Sequence, residues 1–163
     1  MGLLNFKQRF VPRVLEGSKN HSIRAKRKHP IKVGDTCHLY TGLRTKRARL
    51  LGRSPCVKVE DIFISESADI FVDDIQLDPS EKEGLARKDG FDSFAEMAEF
   101  WKGRLPFSGD IIHWKPLRSC PQCNVGMVFK GTSNACVPGT HPCDTGFTVD
   151  LYECEECGVE VCD

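Results

Sequence analysis

Gly17-Ser18-Lys19-Asn20-His21-Ser22-Ile23-Arg24 decides how this chain is read. The stretch sets an ammonium, a hydroxyl and a guanidinium within six positions, directly behind a glycine suited to the end of a helix. On a strand, the two-residue period points Ser22 and Arg24 to one face, and Lys19 in the preceding turn reaches that face too. Such a group can bind a phosphate or the polar edge of a nucleobase, and a lysine beside a hydroxyl can activate it for acyl transfer. The plainer alternative is an exposed basic turn.

Outward from this stretch, hydrophobic spacing sets the expected elements. Phe6, Phe10 and Val14 recur every four residues, which predicts a short amphipathic helix with Pro12 in its first turn and Gly17 at its end. Strands are expected over 21–24, 36–41, 47–52, 56–65 and 69–72, with a turn at Ser54-Pro55. Asp78-Pro79-Ser80-Glu81 starts a helix running to about Lys88, and Asp92-Ser93 caps a second one through Lys102. Phe94, Met97, Ala98 and Trp101 line the inner face of that second helix as core residues. A final strand over 111–115 ends at Pro116. Five or six short strands with helices inserted between them predict an α+β domain, a small β-barrel, over residues 1–116.

Net charge is zero, but the average hides a division. Residues 1–58 hold fifteen Lys/Arg against Glu16 and Asp35, a balance of +13, and residues 59–163 carry −13. A field so asymmetric favours a polyanionic partner for the first half, with nucleic acid foremost. The runs 24–29 and 44–49 supply much of the positive excess. The alternative is that basic strands pair with acidic helices inside the fold. No apolar run approaches the roughly 20 residues of a membrane span, and no apolar signal segment opens the chain. A soluble, cytoplasmic protein without a membrane partner is therefore expected.

The Gly-x-Lys-x-x-Ser-x-Arg pattern resembles the signature of the ASCH (activating signal cointegrator homology) domain, a small β-barrel related to the RNA-binding PUA domains. Val11-Pro12-Arg13-Val14-Leu15-Glu16-Gly17, Val33-Gly34-Asp35, Asp89-Gly90-Phe91-Asp92-Ser93-Phe94 and Asp110-Ile111-Ile112-His113-Trp114 extend the likeness over about residues 4–116. It implies a PUA-like fold and a cleft for RNA or a modified nucleoside around Lys19, Ser22 and Arg24. Within that family one bacterial branch consists of amidohydrolases that remove the acetyl group of N4-acetylcytidine, and another branch is described as ribonucleases. By position the first branch implies Lys19 as base, Ser22 in place of the usual threonine as nucleophile, and Asp89 as the distal carboxylate. Arg24 would orient the ligand or stabilise an oxyanion. His21, Tyr40, Arg44 and Lys46 are further candidate ligand contacts; the alternative for His21 is the face of the strand opposite Ser22, away from the cleft.

Residues 117–163 are cysteine-rich and poor in large apolar residues, so this segment needs a staple to fold. Cys120-Pro121-Gln122-Cys123 and Cys154-Glu155-Glu156-Cys157 form two Cys-x-x-Cys turns, which predict a structural Zn²⁺ ribbon with four thiolates. Disulfides or unligated thiols are the alternatives. Four protein ligands leave no place for a catalytic water. Cys136, His141, Cys143 and Cys162 suit either a second metal site, one disulfide or ordinary packing. Residues 120–163 carry seven acids and a single base, Lys130, so this ribbon should repel RNA and is a candidate docking face for a protein partner.

Overall fold

The computed structural model describes residues 2–122, 126–133 and 149–162. It is a sheet-rich α+β structure. The chain starts with strand β1 (Gly2–Phe6), a 3-10 turn (Gln8–Phe10) and a short helix α1 (Val11–Leu15). Phe6 therefore ends a strand rather than opening a helix, and the four-residue spacing holds only from Phe10 to Val14. Burial in β1 alternates strictly, the period of a half-buried strand, and its parallel ladder with the strand at Thr36–Thr41 overrides the helical spacing.

Strands β2 (His21–Ala25) and β3 (Thr36–Thr41) follow where their patterns place them. The two strands expected over 47–52 and 56–65 are one 16-residue strand, β4 (Arg49–Ile64). Its first half pairs with β3 and its second half with β5 (Ile70–Val72) and β7 (Phe107–Trp114). Pro55 sits where the partner changes, beside a register shift between Cys56 and Lys58. A missing N–H is tolerated there, so the proline bends the strand instead of ending it. β6 (Ile75–Gln76) pairs with β5 at one edge.

Helix α2 (Pro79–Lys88) begins with a reciprocal capping box between Asp78 and Glu81. Helix α3 (Phe94–Trp101) begins at Ser93, whose hydroxyl accepts from the Glu96 amide. β2 lies antiparallel to β7, which is also paired to β4. The order β1-β3-β4 with β4-β7-β2 wraps the core, yet among the described residues no ladder joins β1 to β2. The expected barrel is thus open along one seam. There, Arg24 Nη2 donates to the Asn5 carbonyl at 2.8 Å, and its guanidinium stands over Phe6, so side chains occupy the gap that backbone pairing would close.

The C-terminal part forms an antiparallel three-stranded sheet of β8 (Val128–Ser133), β9 (Val149–Glu153) and β10 (Glu160–Cys162). Its small core holds Cys120, Met127, Tyr152 and Cys154. Leu117, just before it, packs into the main core. Among the described residues no helix is long and apolar enough to cross a membrane.

Candidate functional site

The open seam between β1 and β2 is a cleft of about 960 Å³. Lys19, Ser22, Arg24 and Asp89 all line it. Their convergence starts with backbone geometry. Gly17 turns the chain at φ +80°, and a Cβ there would stand 2.9 Å from the Leu117 carbonyl oxygen, so only glycine fits. The Lys19 amide then donates to the Arg13 carbonyl at 2.9 Å, anchoring the turn to α1. Asp89 ends α2, its amide donating to the Leu85 carbonyl. Gly90 follows at φ +90°, where a Cβ would meet Phe10 at 3.0 Å and the Lys19 stem at 3.1 Å.

Lys19 Nζ donates to Asp89 Oδ1 at 2.5 Å and also to the Asp89 carbonyl. Both side chains are almost fully buried. Burial pushes the Lys19 ammonium below its ordinary range and the Asp89 carboxyl above its own, while their mutual attraction pulls each back. The rings of Phe10 and Phe6 face Lys19 Nζ at 5.2 and 5.9 Å. Ser22 is also buried, 5% exposed.

His21 is equally buried but is not part of the cleft lining. It lies opposite His113 across β2 and β7, ring centroids 5.1 Å apart, with Nε2 3.8 Å from Asp89 Oδ1. Burial, then the charge of Lys19, hold it neutral, well below the ordinary imidazole range.

Tyr40, Arg44 and Lys46 lie outside the lining; Thr41, Thr45 and Arg47 face the cleft in their place. A tight loop explains the offset beyond Thr41. Gly42 and Arg44 take positive φ, and the Thr45 hydroxyl bridges the Gly42 carbonyl and the Arg47 amide. Loop side chains do not keep a strand's alternation, so Thr45 and Arg47 take the places of Arg44 and Lys46, whereas Tyr40 and Thr41 both lie on β3, whose alternation buries Thr41.

One wall of the cleft is aromatic. Phe10, Phe91 and Phe100 meet edge-to-face or tilted, and Trp101 packs on Phe107 at 4.5 Å. Lys7 Nζ and the Arg104 guanidinium lie 4.6 and 4.8 Å from the Phe100 centroid, giving the wall a cationic rim. The sequence pattern marks Trp101 as core and singles out neither Phe100 nor Arg104. Trp101 Nε1 and Arg24 Nε are buried donors with no hydrogen-bond partner among the described residues. A ligand bearing carbonyl or phosphate oxygens suits such a lining.

Away from the cleft, the sulfurs of Cys120, Cys154 and Cys157 lie within 4.8 Å of one another. Cys120 Sγ and Cys157 Sγ are 3.5 Å apart. Gly158, at φ +73°, folds the second turn so that its amide donates to the Cys154 carbonyl at 2.8 Å. Three thiolates at this spacing are close enough to bind one metal ion. The fourth expected ligand, Cys123, lies outside the described residues, as do Cys136, His141 and Cys143. Cys162 ends β10.

No family model matches this chain, and no curated protein or solved structure matches it.

Proposed function

We propose that the chain is an ASCH-type, PUA-like protein that binds RNA, or a modified nucleoside within it, in the cleft of residues 1–116. One observation carries the reading: Lys19, Ser22, Arg24 and Asp89 share a single cleft with an aromatic wall and a cationic rim. The wall offers a stacking platform for an unpaired base, sequence-tolerant because every base has a π-face. Lys7, Arg47 and Arg104 meet the phosphates, while the polar floor reads the base edge. The depth favours a single-stranded or extruded base over a duplex.

Binding of a short single-stranded oligocytidylate across a salt series tests this. Neutralising Arg47 or Arg104 should weaken binding alike for all sequences and reduce the salt slope by about one for each phosphate no longer neutralised. Ser22→Ala should bind nearly as well as the parent. Absence of salt-dependent binding by the parent protein would refute the proposal.

A buried lysine lining the same cleft as a serine hydroxyl favours a second reading, an amidohydrolase for an acylated nucleobase such as N4-acetylcytidine. Neutral Lys19 would take the Ser22 proton as the oxygen attacks the amide carbonyl. The C–N bond then breaks, the base leaves with that proton, and water hydrolyses the acyl-serine. Release of acetate, abolished in Lys19→Ala and Ser22→Ala, separates this reading from binding alone; the ribonuclease reading requires strand cleavage instead.

The thiolate cluster suits structural Zn²⁺. Sulfur–sulfur separations of about 3.8 Å are those of a tetrahedron with bonds of about 2.3 Å. Cys120, Cys123, Cys154 and Cys157 would fill it, leaving a closed site that holds the ribbon together. The acidic ribbon is the face offered to a protein partner, the adaptor reading, which predicts binding that needs the ribbon and tolerates change at Lys19.

A further inference from the structure

Both ring nitrogens of His21 are buried and find no hydrogen-bond partner among the described residues. A buried polar group in that condition is uncommon and calls for a physical reason. Asp89 Oδ1 lies 3.8 Å from His21 Nε2, beyond hydrogen-bond range. That same oxygen receives the Lys19 ammonium at 2.5 Å. Two donors therefore flank one carboxylate oxygen, and only one of them holds it.

We propose that His21 is the alternate partner of Asp89, taking the carboxylate when Lys19 turns its ammonium to a ligand in the cleft. The inference rests on the reading that Lys19 engages the ligand. Lys19 lines the cleft on a long side chain with several rotatable bonds, whereas Asp89 is fixed at the end of α2 and His21 within the β2–β7 ladder. Departure of the ammonium alone would leave the buried carboxylate with only the charge of Arg24 and the Ile23 amide to compensate it. A small rotation of the Asp89 carboxyl brings Oδ1 within reach of the Nε2–H. The lysine can then leave without stranding the acid. His21 thus acts as a positioning residue, never touching the ligand.

The surrounding charges set the direction. Burial first, then the charges of Lys19, His113 and Lys88, keep His21 neutral while Lys19 stays paired. His113 Nε2 in turn lies 2.6 Å from Glu60 Oε2, which favours the protonated form of that ring. Once Lys19 has moved, the largest of these neighbouring charges is gone, and the Asp89 carboxylate faces the imidazole instead.

Nitrogen-15 NMR of the histidine rings tests this without any ligand. In Lys19→Met the His21 Nε2 signal should become that of a hydrogen-bonded N–H, and its titration midpoint should rise by about one pH unit or more. The double variant Lys19→Met/Asp89→Asn should return it to its parent value. Should Lys19→Met not fold, Lys19→Gln removes the same charge and should show the same shift. A His21 signal indifferent to the removal of the Lys19 charge overturns the proposal. In a second arm, oligocytidylate binding should fall about tenfold in His21→Phe and recover in His21→Gln, whose amide can donate from the Nε2 position. Equal losses in both variants would mark His21 as packing only. If the parent protein binds no oligonucleotide, the binding function fails, while the ligand-free spectra still decide the partnership of His21 and Asp89.

Discussion

Lys19 and Asp89, separated by seventy positions in sequence, form a buried ion pair at the floor of the cleft. The pair closes the contact between the β2 turn and the end of α2. Its net contribution to stability is small, because desolvation of both charges offsets their attraction. Removal of one partner is another matter. Lys19→Met should destabilise the fold by less than the about 3–5 kcal/mol of a fully stranded carboxylate, because His21 can take the Asp89 oxygen, and Lys19→Met/Asp89→Leu should recover most of that deficit. Urea unfolding of the two single variants and the double variant measures the cycle; additive effects would mean that the side chains are uncoupled.

Acid should weaken the fold through His21. Its folded value lies well below 6.5, whereas in the unfolded chain the imidazole titrates near 6.5. Below that pH the unfolded chain takes a proton that the folded one refuses, so stability falls as pH drops, by up to about 1.4 kcal/mol per pH unit. Above 6.5 the group contributes nothing to the slope. His113, also lowered by burial, adds in the same direction, and Asp89, raised by burial, opposes it at the acid end. His21→Phe should therefore flatten the stability–pH profile between 6.5 and the folded titration point. A profile as steep as that of the parent protein would remove His21 from the account.

The thiolates of Cys120, Cys154 and Cys157 give a prediction of their own. Protein produced with zinc present should hold about one equivalent, and a strong chelator should remove it. The ribbon's core is too small to persist by itself, so Met127 and Tyr152 should lose hydrogen-exchange protection with the metal while Ile111 and Ile112 keep theirs. Cys154→Ser should act like the chelator. Full protection at Tyr152 in metal-free protein would show that the ribbon needs no ion.

Much of this arrangement is legible in the residues themselves. Thr36–Thr41 alternates cleanly, Asp78 and Glu81 spell out a capping box, and two Cys-x-x-Cys turns announce a cluster. Gly17 and its neighbours place Lys19, Ser22 and Arg24 on one face because a turn followed by a strand has few geometries. The rest depends on contacts distant in sequence. Nothing around Pro55 says that its strand changes partners there, since that follows from the β7 ladder. Nothing in Phe100 or Arg104 says that they wall a cleft, since α3 is aimed by its packing on α2. The open seam is hidden for the same reason: whether the edges of β1 and β2 meet depends on the side chains between them, not on the propensity of either strand.

Leu117 ties the ribbon to the main core. It is buried there, and its Cδ1 stands 2.7 Å from where a Cβ on Gly52 would lie. The Ser119 hydroxyl donates to the Leu15 carbonyl at 3.0 Å beside it, so the linker is part of the first unit's packing. Leu117→Ala should cost about 2–5 kcal/mol, the range for a buried leucine whose cavity relaxes only in part. Gly52→Ala should also destabilise, because the new methyl meets the leucine methyls on a strand that cannot move away. Together the two changes should cost less than their sum, since the added methyl enters the space that the leucine vacates. Chemical denaturation of the two single variants and the double variant decides the matter; strict additivity would mean that Leu117 does not pack on Gly52 in solution.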